Sequence, residues 1–338
     1  MRKSYIITFL AILLFYSCDK HNNVYEINGL TMGTTYSIKI IGESLNTSKV
    51  RSEIDSILYS INMDMSTYID SSSISKFNNL DINQKYYISK DFYKVLTASS
   101  YFSKLTDGAF DVTVNPLVQL WGFSKEALEE IPSDDIIKEV LETIGMDNLI
   151  IGDSSWISKK NKVTIDLSAI AKGYAVDKIS EYLINLNIEN NMVEIGGEVR
   201  TSGFNLENRK WQIGIQYPSF QRSLNKTAYS DINPHTVIKI SDVSIATSGD
   251  YRNYFDFNGR RYSHIISPKT GYPIENKIIS VSVISKECLN ADALATALMV
   301  MDIEDGLNLI EQLDGYESFF ILEDNSSRYT SGIKNFLK

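Results

Sequence analysis

The sequence predicts a single α+β domain with mixed or antiparallel sheets and flanking helices. Helical and strand-like stretches alternate in blocks, yet several neighbouring strands are joined by links too short for the crossovers of a doubly wound parallel sheet. No compositional break or internal repeat divides the chain after its first residues. Pro is scarce, at 6 of 338 residues, and Tyr abundant, at 20, which fits a sheet-rich fold and excludes a disordered one. The net charge of −9, without any long basic block, excludes an electrostatic footprint for nucleic acid.

The first residues stand apart from that fold. Arg2 and Lys3 precede "YIITFLAILLFY" (residues 5–16), an apolar run too short to span a bilayer comfortably, and Ser17 and Cys18 follow directly. This order resembles a bacterial lipoprotein signal, cleaved before a cysteine that is then lipidated. Phe15 and Tyr16 depart from the small or aliphatic residues usual there, and an ordinary secretory signal with a coincidental cysteine is the alternative. Residues 1–17 are thus expected to be a signal peptide, 18–24 a lipidated cysteine and tether, and 25–338 the folded domain. The expected location is the bacterial cell envelope, periplasm-facing and lipid-anchored. With Cys18 acylated, Cys288 is the sole remaining cysteine, so the fold stands on its apolar core rather than on a disulfide.

Alternation in "TYSIKII" (residues 35–41) predicts a strand, and Val50, Ile54, Leu58 and Ile61 recur at helical spacing. Ser89 is an N-cap candidate for a helix through Val95, Leu96 and Phe102 that ends by Gly108. Ser133 caps a third helix, with Ile136, Ile137, Val140 and Leu141 on its inner face and Gly145 after it. "KVTIDLSAIAKGYAVDKISEYLINL" reads as a strand ending at Asp166 and a long helix opening at Ser168. "NMVEIGGEVRTSG", "KWQIGIQYP", "HTVIKISDVSIATSGDYRNYF" and "IISVSVI" are strand-like, divided by Gly, Pro, Asn and Asp. "LNADALATALMVM" and "IEDGLNLIEQLDG" return to helix before a late strand, "SFFILE". Polar residues 218–234 read as an inserted surface loop, to which His235 is also assigned.

Phosphate-loop, nucleophile-elbow, His-Glu-x-x-His and Cys-x-x-Cys patterns are missing from the sequence, which argues against zinc and iron–sulfur chemistry. Oxygen donors are more informative. Asp292 and Thr296, at i and i+4, point the same way from a helix and form a hard-oxygen pair suited to Mg²⁺. The same residues also fit a first-turn carboxylate and a hydroxyl bonded to its own backbone. Asp166 and Ser168 flank a strand-to-helix junction where unpaired amides receive an anion, with Lys172 one turn further on; a plain cap with a solvent-facing lysine is the alternative. Met32 beside Gly33, and Tyr68 after a helix end, could sandwich a flat heterocycle or pack at a rim. The glycines of "EIGGEV" allow close approach of a ligand to the backbone. "RYSHIISPKTGYP" carries one of only 3 histidines, His264, just before a tight turn, where a half-exposed histidine of no catalytic use would also fit.

Taken together, "TMGTTY", "DMSTY", "SKFN", "TDGAFDVTVNPLVQLWGF", "DLSAIAKGYAVD", "VEIGGEVRTSG", "SGDYRNYF", "RYSHIISPKTGYP" and "ADALATAL" resemble, in order and spacing, the ApbE family of FAD:protein FMN transferases, from about residue 25 to the C-terminus. The resemblance implies one α+β domain with the flavin in a cleft, FAD as substrate and Mg²⁺ as cofactor. It implies that FMN is passed from FAD to a Ser or Thr hydroxyl of an acceptor protein through a phosphoester, releasing AMP. Residue by residue, it implies FAD contacts at Met32, Tyr68, Ala109, Phe110, Asp111, Asp166, Lys172 and Ile265 or Ile266. It further implies Mg²⁺ ligation by Asp292, Thr296 and the Ala169 carbonyl, and a catalytic role for His264. The partners it implies are exported or membrane-associated electron-transfer flavoproteins, alongside a lipid membrane holding acylated Cys18. Two other readings keep the same residues: a Mg²⁺-dependent FAD pyrophosphatase releasing FMN and AMP, and a flavin-binding lipoprotein without chemistry.

Overall fold

The computed structural model describes residues 22–123, 130–216, 234–249, 254–257 and 260–337; the leader, Cys18, His21 and all but the end of the expected surface loop lie outside them. The fold opens with a hairpin of β1 (Asn23–Thr31) and β2 (Thr34–Gly42), joined by Met32 and Gly33 at φ of 49° and 74°. Two positive-φ residues give the turn whose twist matches paired strands, and glycine adopts it without strain. Patterning predicted only β2. Asn23 and Val24, assigned to the tether, already belong to β1. Its signal is weak because it is an edge strand on which only Ile27 is fully buried.

Helix α1 (Thr47–Met65) buries Val50, Ile54, Leu58, Ile61 and Met65, the stripe expected from spacing. Short α2 (Ser73–Asn78) and β3 (Tyr86–Tyr87) precede α3 (Lys90–Leu105), where the Ser89 hydroxyl accepts the Phe92 N–H at 3.0 Å as an N-cap. Helix α4 (Asn115–Leu120) follows, then α5 (Asp134–Leu141), capped by Ser133. Helix α5 buries Ile137 but leaves Ile136 46% exposed, so the expected inner face is narrower: this short helix packs only on α4 and on the segment around Ile266 and Gly271. Strands β4 (Leu149–Gly152) and β5 (Trp156–Lys159) form a small sheet with β3.

The predicted strand ending at Asp166 is extended but belongs to no ladder. Its backbone is held instead by the Asn78 side chain, which accepts the Ile165 N–H at 2.9 Å and donates to the Ile165 carbonyl at 2.8 Å, and by the Val112 carbonyl, which accepts the Asp166 N–H at 2.7 Å. One amide side chain thus does the work of a strand neighbour. Helix α6 (Ala171–Asn185) opens three residues later than expected, because the Asp166 carboxylate binds both the N–H and the hydroxyl of Ser168 and holds residues 168–170 as a turn.

The remaining elements are β6 (Asn191–Ile195), β7 (Glu198–Ser202), β8 (Trp211–Gln216), β9 (Pro234–Ile240), β10 (Ser244–Gly249), β11 (Tyr254–Phe257), β12 (Arg260–Ser263), β13 (Ile278–Ser285), α7 (Cys288–Val300), α8 (Ile303–Glu311), β14 (Glu317–Leu322) and β15 (Ser327–Tyr329). His235, expected in the inserted loop, instead lies in β9, where the backbone pairs with β8. The main sheet runs β1-β2-β6-β7-β10-β13-β14-β15 with every neighbouring pair antiparallel. Pairs β8–β9 and β11–β12 are also antiparallel, which resolves the expectation of mixed or antiparallel sheets in favour of the second. Helices α1, α3, α6 and α7 cover one face of the main sheet, while β8 and β9 cover the other through Ile215, Ile238 and Ile240. Strand β13, covered on both faces, is buried at every residue.

Helices α6 and α7 lock together through reciprocal carboxylates. Asp177 of α6 accepts the N–H groups of Cys288 and Leu289 at 2.9 Å each, capping α7, which has no side-chain cap of its own. Asp292 of α7 accepts the Gly173 N–H of α6 at 2.9 Å. The approach is close enough that a Cβ on Gly173 would lie 2.4 Å from the Cys288 carbonyl oxygen. Asp177 also pairs with Arg200 of β7 at 2.6 Å.

Candidate active site

Six chain segments converge on one cleft. After α3, Asp107 and Gly108 turn at φ of 50° and 79° and send Ala109, Phe110 and Asp111 inward. Asp111 Oδ1 accepts the Thr113 N–H at 2.7 Å and its hydroxyl at 2.6 Å; burial raises the Asp111 pKa, and these bonds oppose it. The segment held by Asn78 supplies Asp166, Ser168 and Ala169, and α6 adds Lys172. Gly196, at φ 66° in the β6–β7 turn, and Glu198 form another wall. Thr247, Ser248 and Gly249 come from the end of β10, and Thr296 from α7. His264, Ile265 and Ile266 follow β12 and complete a cavity of ≈ 340 Å³, within the range of roughly 300–1,000 Å³ usual for small-molecule sites.

The histidine segment is fixed from behind. Trp121 stacks on Tyr262 at 5.7 Å, and its indole N–H donates to the Gly271 carbonyl at 2.7 Å. Gly271 sits at φ 78°, and a Cβ there would lie 2.5 Å from Ile137. The Pro-x-Thr-Gly turn closes through the Gly271 N–H on the Ser267 carbonyl at 2.8 Å, and Ile266 bridges to Pro273. His264 therefore leaves the end of β12 at a set position, half-buried, its ring edge-on to Phe123 with the ring centroids 6.2 Å apart.

Asp292 lies directly behind the cleft wall. Its side chain is 3% exposed, its Oδ1 is 3.9 Å from Lys172 Nζ, and Lys172 Nζ is in turn 3.2 Å from Glu198 Oε1. Burial pushes the Asp292 carboxyl up to about 7 against the opposing pull of Lys172. Burial alone would lower the Lys172 pKa, but Asp292 and Glu198 outweigh it and raise the ammonium's pKa above its usual value. Thr296 Oγ1 is 3.1 Å from Ser248 Oγ. The Gly173 amide, which a continuing helix would direct at the Ala169 carbonyl, goes instead to Asp292. Among the described residues no group of three or more His, Cys, Asp or Glu is placed for a metal. The donors here are a carboxylate, a hydroxyl and a carbonyl, which fit a hard divalent cation that keeps waters or substrate oxygens as its other ligands. Glu198 Oε2, fully buried and without a hydrogen-bond partner, marks a local excess of negative charge that such a cation would offset.

Of the residues singled out by sequence, Ala109, Phe110, Asp111, Asp166, Ala169, Lys172, His264, Ile265, Ile266 and Thr296 line the cleft together, with Asp292 behind them. Met32 and Tyr68 stand outside its wall. Met32 is at the β1–β2 turn, two residues from Thr34, whose side chain would touch a Cβ on Gly196. Tyr68 is 86% exposed and follows Thr67, whose hydroxyl donates to Asp166 at 3.4 Å. Sequence reasoning missed Glu198 and Ser248. Glu198 shares a strand face with Arg200, and a charged pair at alternating positions reads as solvent-facing; both instead meet α6, through Lys172 and Asp177.

Fold and site define a single-domain α+β protein whose cleft joins a cationic side chain, a hard-oxygen donor set and a histidine. The ApbE family model matches residues 32–320. The FAD:protein FMN transferase of Vibrio cholerae serotype O1 is 40% identical over 313 residues, covering 91% of each chain. That of Haemophilus influenzae is 39% identical, covering 95% of this chain and 93% of its own. The solved flavin transferase ApbE from Vibrio cholerae superposes with a TM-score of 0.83 at 39% identity, covering 94% of this chain and all of its own. The chain belongs to the ApbE family.

Proposed function

We infer that this protein is an FAD:protein FMN transferase, moving FMN from FAD to a Ser or Thr hydroxyl of an acceptor protein and releasing AMP. The observation that carries this reading is the convergence of His264, Lys172, Asp166 and Thr296 on one cleft in a chain of this family. The acceptor oxygen bonds to the phosphorus on the FMN side of the pyrophosphate, the bond from that phosphorus to the bridging oxygen breaks, and the bridging oxygen leaves with AMP. His264 takes the hydroxyl proton, because an imidazole's ordinary pKa lies near working pH and its position at the cleft is fixed. Lys172 sets a positive charge against the pyrophosphate. Ile265 and Ile266 with Phe110 give the cleft an apolar wall for a flat ring. Asp292, Thr296 and the Ala169 carbonyl would hold Mg²⁺, which when bound neutralises phosphate charge. Met32 and Tyr68, at the rim, would close over the flavin. The leader and Cys18 support anchoring in the bacterial envelope, where exported electron-transfer proteins are the acceptors.

Incubation with FAD and Mg²⁺ alone tests the choice of acceptor. AMP is expected to form only slowly without an acceptor protein, and not at all after chelation by EDTA. Rapid AMP formation from FAD and water would mark a pyrophosphatase and overturn the transferase reading.

A further inference from the structure

Behind the cleft, one ammonium serves two buried carboxylates. Lys172 Nζ lies 3.2 Å from Glu198 Oε1 and 3.9 Å from Asp292 Oδ1, and those side chains are 4% and 3% exposed. The second oxygen of Asp292 accepts the Gly173 amide. The second oxygen of Glu198 is fully buried and unpartnered, although Glu198 belongs to the cleft wall. Such an orphaned carboxylate oxygen is costly and rare in a folded protein. With both carboxylates ionised the group carries two negative charges and one positive, so a divalent cation balances it better than Lys172 does. Lys172 is also the member most readily rearranged, because its 26%-exposed side chain has a flexible four-carbon stem and borders the cleft.

We propose that the Lys172 ammonium is a stand-in for the divalent cation, and that cation binding at Asp292 and Glu198 displaces it into the cleft, where it meets the pyrophosphate of the substrate. This rests on the reading of Asp292 as a cation ligand and adds Glu198 to the centre. The exchange makes cation loading the event that deploys Lys172. A cleft without cation keeps its lysine tied to the carboxylates and presents less positive charge to a dinucleotide.

Mn²⁺ binding, followed by electron paramagnetic resonance and calorimetry without flavin, tests the exchange. Removing the competing ammonium in Lys172→Met is expected to tighten Mn²⁺ binding about tenfold, since two carboxylates lose their internal counter-ion. Glu198→Gln is expected to weaken it by roughly 10–100-fold. In the unaltered protein, Mn²⁺ is expected to raise the acylation of Lys172 by acetic anhydride several-fold, read by mass spectrometry, and this measurement needs no variant to fold. Equal or weaker Mn²⁺ binding by a folded Lys172→Met protein, or Lys172 acylation unchanged by Mn²⁺, overturns the exchange. Unchanged affinity in Glu198→Gln removes Glu198 from the centre and overturns the proposal as stated. Failure of the unaltered protein to bind Mn²⁺ overturns the cation reading itself, a distinct result.

Discussion

Replacing His264 with Ala is expected to slow FMN transfer by roughly 10²–10⁴-fold while leaving FAD binding largely intact. The substitution removes the proposed proton acceptor and leaves in place the Trp121–Tyr262 stack and the Gly271 turn that hold the segment. Among the described residues no other histidine lines the cleft, and His235 belongs to β9. Single-turnover AMP release, measured beside FAD affinity from flavin fluorescence, separates the two effects. Near-normal turnover in a protein that binds FAD would remove His264 from the proton-transfer step.

Asp177→Ala is expected to cost about 3–5 kcal/mol of folding stability, the size typical of leaving a buried charge unpaired. The change strands Arg200, whose side chain is 15% exposed, and removes the acceptor for two amides in the first turn of α7. Because α7 also carries Asp292 and Thr296, the loss reaches the proposed cation donors as well as the core. Asp177→Asn, which keeps an oxygen for one amide but loses the ion pair, is expected to fall between the two. Denaturant unfolding midpoints measure both. A loss below about 1 kcal/mol, the size of a surface pair, would mean that α7 does not depend on this cap.

The sequence reveals most where one local rule decides the outcome. The helical spacing from Val50 to Ile61 and the Ser89 cap both describe real elements, because burial stripe and cap chemistry act over a few residues. Asp292 and Thr296 were legible as a pair for the same reason, being one helical turn apart. Where a distant partner decides, local patterns fall short. The segment at Asp166 looks like a strand, yet its neighbour is the side chain of Asn78, 87 residues away. Ser168 looks like a helix cap, but its hydroxyl is taken by Asp166. Glu198 looks solvent-facing until α6 supplies Lys172 and covers it. His264 gained meaning only from its place among the other family motifs, since nothing in its own segment distinguishes a base from a packed ring.

Co-expression with an exported electron-transfer flavoprotein, followed by intact-mass and peptide mass spectrometry of that acceptor, tests the central claim most directly. A mass gain of one FMN less water is expected on a Ser or Thr of the acceptor, dependent on FAD and strongly reduced by His264→Ala. FMN and AMP accumulating in equal amounts, with the acceptor unmodified, would contradict it.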